Sequence, residues 1–197
     1  MFNETSAELI PLVIFVLIMV GTPGPANLLL MSGGASFGFQ RCLPFITGLI
    51  LGKSILNISI GFGLGTFLME NNAVQISFKL ISAIFMIYLA LKTWNRVPAK
   101  NTKHSTFSFK QGLLIHPLSP KSWVMLVLAW TEYSSSYETF MVKLLALFLI
   151  FFLIQITFHT IYCILGAVIG TILKNTPYLQ KFMTCLTILA VLIALIF

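Results

Sequence analysis

Thr22-Pro23-Gly24-Pro25-Ala26-Asn27 interrupts an otherwise apolar, uncharged run from Leu9 to Met31. A run of this length can cross a bilayer as a helix, which needs about 20 apolar residues. Two prolines around a glycine break that helix near its middle, because proline lacks an N–H and its ring clashes with the preceding turn. Backbone freed at that depth cannot face lipid; it must be buried in protein or line a polar cavity. The stretch therefore points to a binding or transport site rather than a simple anchor.

Composition agrees. The chain of 197 residues is 58% hydrophobic and 9% charged, with mean hydropathy +0.98. Those values lie far outside the range of soluble domains, so the expected class is an all-α integral membrane protein. One compact domain, residues 1–197, is expected, with little mass outside the bilayer. Met1–Glu8 carries two acids and no base, which does not read as a cleavable signal. Cys42, Cys163 and Cys185 lie in or beside apolar runs at no metal-ligand spacing and read as small buried hydrophobes. No metal or other cofactor is expected.

Six spans fit a bilayer-length template: Leu9–Met31, Leu43–Leu68, Val74–Leu91, Phe109–Trp130, Phe140–Leu173 and Tyr178–Phe197. The fifth is long but holds no turn signal, so it reads as one helix that tilts or protrudes. Charge sets the orientation. Glu4, Glu8, Glu70, Glu132 and Glu138 all fall on one set of connections and termini, with Lys143. Arg41, Lys92, Arg96, Lys100, Lys103, Lys110, Lys174 and Lys181 fall on the other, without an acid. The positive-inside rule places the basic set in the cytoplasm and both termini outside. The net charge of +7 is mostly juxtamembrane and suits anionic lipid rather than nucleic acid.

A second break, His116-Pro117-Leu118-Ser119-Pro120-Lys121, lies inside the fourth span. Grouping the spans three and three makes halves of 1–95 and 107–197, joined by the basic cytoplasmic loop 94–110. Each half then starts on the opposite side of the membrane and breaks its first helix, as in transporters built from inverted repeats. The expected architecture is thus six transmembrane helices in a 3+3 inverted-topology repeat, with proline-broken helices one and four. Glycines spaced four apart, Gly48/Gly52, Gly61/Gly65 and Gly166/Gly170, offer close helix contacts, either within the chain or as a homo-oligomer seam.

Polar groups at membrane depth supply candidate chemistry. Lys53 lies about ten residues into span two, roughly 15 Å by helical rise, and a charge there marks function by default. Either a substrate carboxylate pairs with it, or it is neutral when the site is empty, or it snorkels to a watery vestibule. Asn57 is one turn further along the same face. Gln155 and His159, at i and i+4, begin a stripe continued by Tyr162, Cys163 and Gly166. Histidine suits proton transfer, so His159, His116 and Lys53 are proton-coupling candidates. Half-helices starting at Pro25 and Pro120 would offer free N–H groups to a carboxylate, and exposed carbonyls would suit an ammonium group. The expected substrate-binding set is Thr22, Pro23, Gly24, Pro25, Asn27, Lys53, Asn57, Ser119, Pro120, Lys121, Gln155 and His159.

These motifs resemble the lysine exporter superfamily, in its homoserine/threonine/cysteine efflux branch. Thr22-Pro23-Gly24-Pro25 with Asn27 resembles the family's first-helix signature. Gly34 to Gly38, Gly48 and Gly52 follow at similar spacing, and Ile87–Trp94 resembles the end of the third helix. Phe109 to Gly112 and Ser119-Pro120-Lys121 resemble a phenylalanine, glycine and asparagine-proline-lysine stretch. The likeness runs along almost the whole chain. Ala26, Ser119 and Lys53 depart from the pattern, near the presumed site. The resemblance implies six helices, a bacterial cytoplasmic (inner) membrane location, and export of amino acids by exchange with protons. No Walker-type loop is present, which argues against direct use of ATP. The chain has no aspartate and its glutamates are all assigned outside, so an enzyme is not expected. A same-fold exporter of a metal cation and a non-transporting scaffold or subunit are the alternatives.

Overall fold

The computed structural model describes residues 2–64, 72–94, 107–134, 137, 139–173 and 176–196. The described residues are mostly helical, with no strand among them. Helix α1 (Phe2–Gly21) meets α2 (Pro25–Phe37) at a 53° bend. Pro25 opens α2, where a missing N–H has no helical acceptor to lose. Helix α3 (Phe39–Ser59) follows after Gly38 alone, whose φ of 77° suits glycine, and runs into a wider turn over Ile60–Leu64. Helix α4 covers Asn72–Leu91. The second break divides α5 (Phe109–Leu118) from α6 (Pro120–Thr131) at 61°, with Ser119 between them. Helix α7 (Phe140–Ile172) is one uninterrupted helix of 33 residues, about 50 Å long by helical rise. Helix α8 covers Pro177–Ile196.

Phe39–Leu64, Ala73–Leu91 and Phe140–Ile172 are each long and apolar enough to cross a membrane. The two bent pairs pass the same test when each is taken as one span, and Tyr178–Ala194 is a shorter apolar helix. The burial pattern fits lipid as solvent. Ile14, Ile18, Ile55, Ile84, Leu145 and Leu153 are exposed, whereas Lys53, His116, Gln155 and His159 are buried. A hydrophobic exterior around a polar interior is stable only where hydrocarbon replaces water. The chain is an all-α, multi-pass membrane protein.

Two glycine seams hold the bundle. A methyl on Gly34 would fall on the Cys163 carbonyl, and one on Gly166 would fall on that of Met31, so α2 and α7 touch backbone to backbone. Gly48 and Gly52 on α3 meet Phe109 and Leu113 on α5 in the same way, and Gly112 meets the Phe45 carbonyl. These glycines are therefore used within the chain. Gly61 lies against the Trp130 ring, and Gly65 is outside the described residues. One apolar cluster joins Leu29, Leu30, Phe45, Leu49, Ile115 and Cys163. Another joins Val16, Val20, Leu56, Met125, Leu126, Leu147 and Phe151.

Some boundaries differ from the sequence reading. Helix α2 continues six residues past Met31, to Phe37, and α3 starts at Phe39, four residues ahead of Leu43. The intervening Ser32–Ser36 are small but buried against neighbouring helices. Phe107, read as loop, is fully buried and stacks on Phe45 at 4.8 Å between centroids. Ser108 then caps α5, accepting from the Gln111 amide while the Gln111 side chain accepts from the Ser108 amide. Cys42 and Cys163 are buried as expected, but Cys185 is exposed because it lies on the outer face of α8. Glu70, Arg96, Lys100, Lys103, Glu138, Lys174 and most of the loop 94–110 lie outside the described residues.

Candidate functional site

The two breaks converge on one cluster. Thr22, Gly24, Pro25 and Asn27 from the first meet His116, Ser119 and Lys121 from the second around a cavity of about 40 Å³. Lys53 from α3 and Gln155 and His159 from α7 complete its wall. Lys121 reaches across, its Nζ donating to Thr22 Oγ1 at 2.7 Å. The amine passes beside Gly24, where a Cβ would lie 3.6 Å from Nζ, an ordinary contact.

Each break is braced locally. Asn27 Nδ2 donates to the Val20 carbonyl at 2.9 Å and to that of Thr22 at 3.2 Å. The Tyr162 hydroxyl donates to the Gly21 carbonyl at 2.8 Å, and Thr22 Oγ1 donates to that of Met19 at 3.1 Å. At the second break Trp123 Nε1 donates to the Pro117 carbonyl at 2.7 Å. Carbonyls that a proline break leaves without helical partners are thus satisfied by side chains.

The polar floor has a defined tautomer. The Leu49 carbonyl can only accept, so Gln155 presents Nε2 to it at 3.3 Å. The same nitrogen donates to His116 Nε2 at 2.8 Å. His116 Nδ1 therefore carries the ring proton and donates to Ser122 Oγ at 2.8 Å. His159 stacks on His116 with centroids 5.6 Å apart and its Nδ1 has no hydrogen-bond partner. Lys53 is 1% exposed, lies over the Phe151 ring at 5.3 Å, and its Nζ has no hydrogen-bond partner. It does not snorkel to the surface. A buried amine without a partner is costly.

Of the residues marked from sequence, Pro23 and Pro120 line a neighbouring, larger cavity instead. Asn57 lines neither; its Oδ1 accepts from Trp130 Nε1 at 2.8 Å. The structure adds Met19, Val20, Ala26, Ser122 and Met125 to the wall. Ser122 carried a usable signal, since it directly follows the break motif at Lys121. Among the described residues no group of three His, Cys, Asp or Glu forms a metal site.

Paired broken spans around a buried polar cluster define a class, the helical membrane transporters. Residues 17–197 match the family described as LysE type translocator, and the chain belongs to that family. It is a family of transporters and not of enzymes. No curated protein and no solved structure matches the chain.

Proposed function

We propose that this protein exports small amino acids or related metabolites from the cytoplasm of a bacterium, across the inner membrane, with the proton gradient as driving force. The observation that carries the reading is the convergence of two proline breaks on a buried, unpartnered Lys53. Amides at the start of α2 and α6 lack helical acceptors and carry a positive dipole end. Together with Lys53 and Lys121 they suit a carboxylate. His116, His159 and Lys53 are the proton-coupling candidates, since no acid lines the cavity.

Both termini are assigned outside and the two halves, 1–95 and 107–197, are assigned as inverted repeats. In that orientation α2 and α5 are the cytoplasmic half-helices, and both glycine seams lie on their side. The form described here is then closed toward the cytoplasm, and its 40 Å³ cavity is smaller than a ligand pocket, which commonly measures about 300–1,000 Å³.

The test is efflux from proteoliposomes loaded with labelled amino acids, across a series of imposed pH gradients. A rate that ignores the gradient rules out proton coupling. A Pro25→Ala, Pro120→Ala double variant exporting at the wild-type rate rules out the site.

A further inference from the structure

The inner cavity shares Met19, Gly24, Pro25, Ser119 and Lys121 with a second cavity of about 600 Å³. That second space lies between the breaks and the facing sides of α4 and α8. Met86, Val191, Ile193 and Ala194 make its wall mostly apolar, and Lys79 adds a second amine beside Lys121. Its volume is that of an ordinary small-molecule site. A ligand with its carboxylate at the breaks has room for its body there.

Charge narrows the ligand further. Lys53, Lys121 and Lys79 face the two cavities, and no acid lines either one. Several carbonyls at the breaks that could take an ammonium group already accept a bond: Val20 and Thr22 from Asn27, Gly21 from Tyr162, Pro117 from Trp123. The His116 carbonyl accepts from the Ser119 amide. On the donor side, Lys53 Nζ is buried without a partner. A free ammonium entering this space would be desolvated among cations, without a carboxylate to pair with.

We infer that the preferred ligand is an amino-acid derivative whose amine is capped as an amide: an N-acylated apolar amino acid carrying net negative charge. Its carboxylate lies between Lys53 and Lys121, and its apolar body fills the cavity between α4 and α8. This rests on the exporter reading above and names the substrate class for the same site.

The test uses the full-length protein in proteoliposomes with three probes: N-acetylphenylalanine, phenylalanine and N-acetylglycine. Binding is read by thermal shift and transport by efflux of labelled probe. N-acetylphenylalanine should bind tighter than phenylalanine on the order of tenfold or more, the loss expected for a charged group denied partners. Ala190→Phe, which fills the apolar cavity, should abolish the preference for N-acetylphenylalanine over N-acetylglycine; Ala194→Phe, nearer the helix end, gives the same readout should the first fail to fold. Phenylalanine bound or moved as well as its acetylated form overturns the inference and leaves amino-acid export standing. N-acetylphenylalanine bound but no probe moved keeps the ligand class and removes the export reading. None bound or moved overturns both.

Discussion

The α2–α7 seam makes a quantitative prediction. In Gly34→Ala the new methyl falls on the Cys163 carbonyl oxygen and within 3.0 Å of its carbon; in Gly166→Ala it lies 2.7 Å from the Met31 carbonyl carbon. Ordinary Cβ contacts fall at 3.4–4 Å, and the obstructing atoms are backbone, which cannot rotate aside. The helices must part, and a gap of about 1 Å forfeits up to half of the dispersion energy across it. Each substitution should cost about 1–3 kcal/mol, the usual range for overpacking. That is about 2–4 °C of melting temperature per kcal/mol in a chain of this size. Once one methyl has opened the seam, the second enters the same gap, so the double variant should cost clearly less than the sum. Gly24→Ala is the control, because its Cβ would meet only the Lys121 side chain, Nζ at 3.6 Å and Cδ at 3.9 Å, both ordinary contacts; its stability should stay within about 0.5 kcal/mol of the parent. The assay is thermal unfolding in detergent with a thiol-reactive fluorophore in a Cys185→Ser background, where buried Cys42 and Cys163 report opening. Full additivity, or a single variant as stable as the parent, refutes the backbone contact.

Three further outcomes follow from the site. Lys53→Met removes an unpartnered buried amine at nearly constant volume; it should raise stability, on the order of 1–4 kcal/mol, and abolish efflux. A lower melting temperature would count against the burial of that amine. Asn27→Leu leaves the Val20 and Thr22 carbonyls without their donor and should cost about 1–3 kcal/mol per orphaned group, read as a lower melting midpoint. Thr22→Val and Lys121→Met remove two ends of one hydrogen bond. Their effects on melting should overlap rather than add in a double-mutant cycle, and full additivity would deny the coupling.

The proline breaks were legible from the sequence because proline and glycine act locally, whatever packs around them. The continuation of α2 to Phe37 was not. Ser32, Gly33, Gly34, Ala35 and Ser36 have low hydropathy and read as a connection, yet small side chains are what allow α2 to lie on α7. Hydropathy scores transfer from water and is blind to how closely two backbones approach. Gln155 and His159 share a face at i, i+4, and that face does point at the breaks. Asn57 lies one turn from Lys53, but the rotation of α3 carries it to Trp130. Lys79 drew no attention as a residue near the start of an apolar span, because its neighbours across the cavity come from α6 and α8. Periodicity assigns a face to a helix; only tertiary contact says what that face meets.

The bond between Lys121 and Thr22 bears on how the two breaks act together. Thr22 Oγ1 gives its own proton to the Met19 carbonyl and takes one from Lys121, so that oxygen closes α1 and holds α6 at once. In the proposed reading a carboxylate at Lys121 would share that amine with Thr22, since an ammonium group carries three donors. The amine that ties the two breaks together would then also be the one that meets the cargo, so both half-helices would register its arrival.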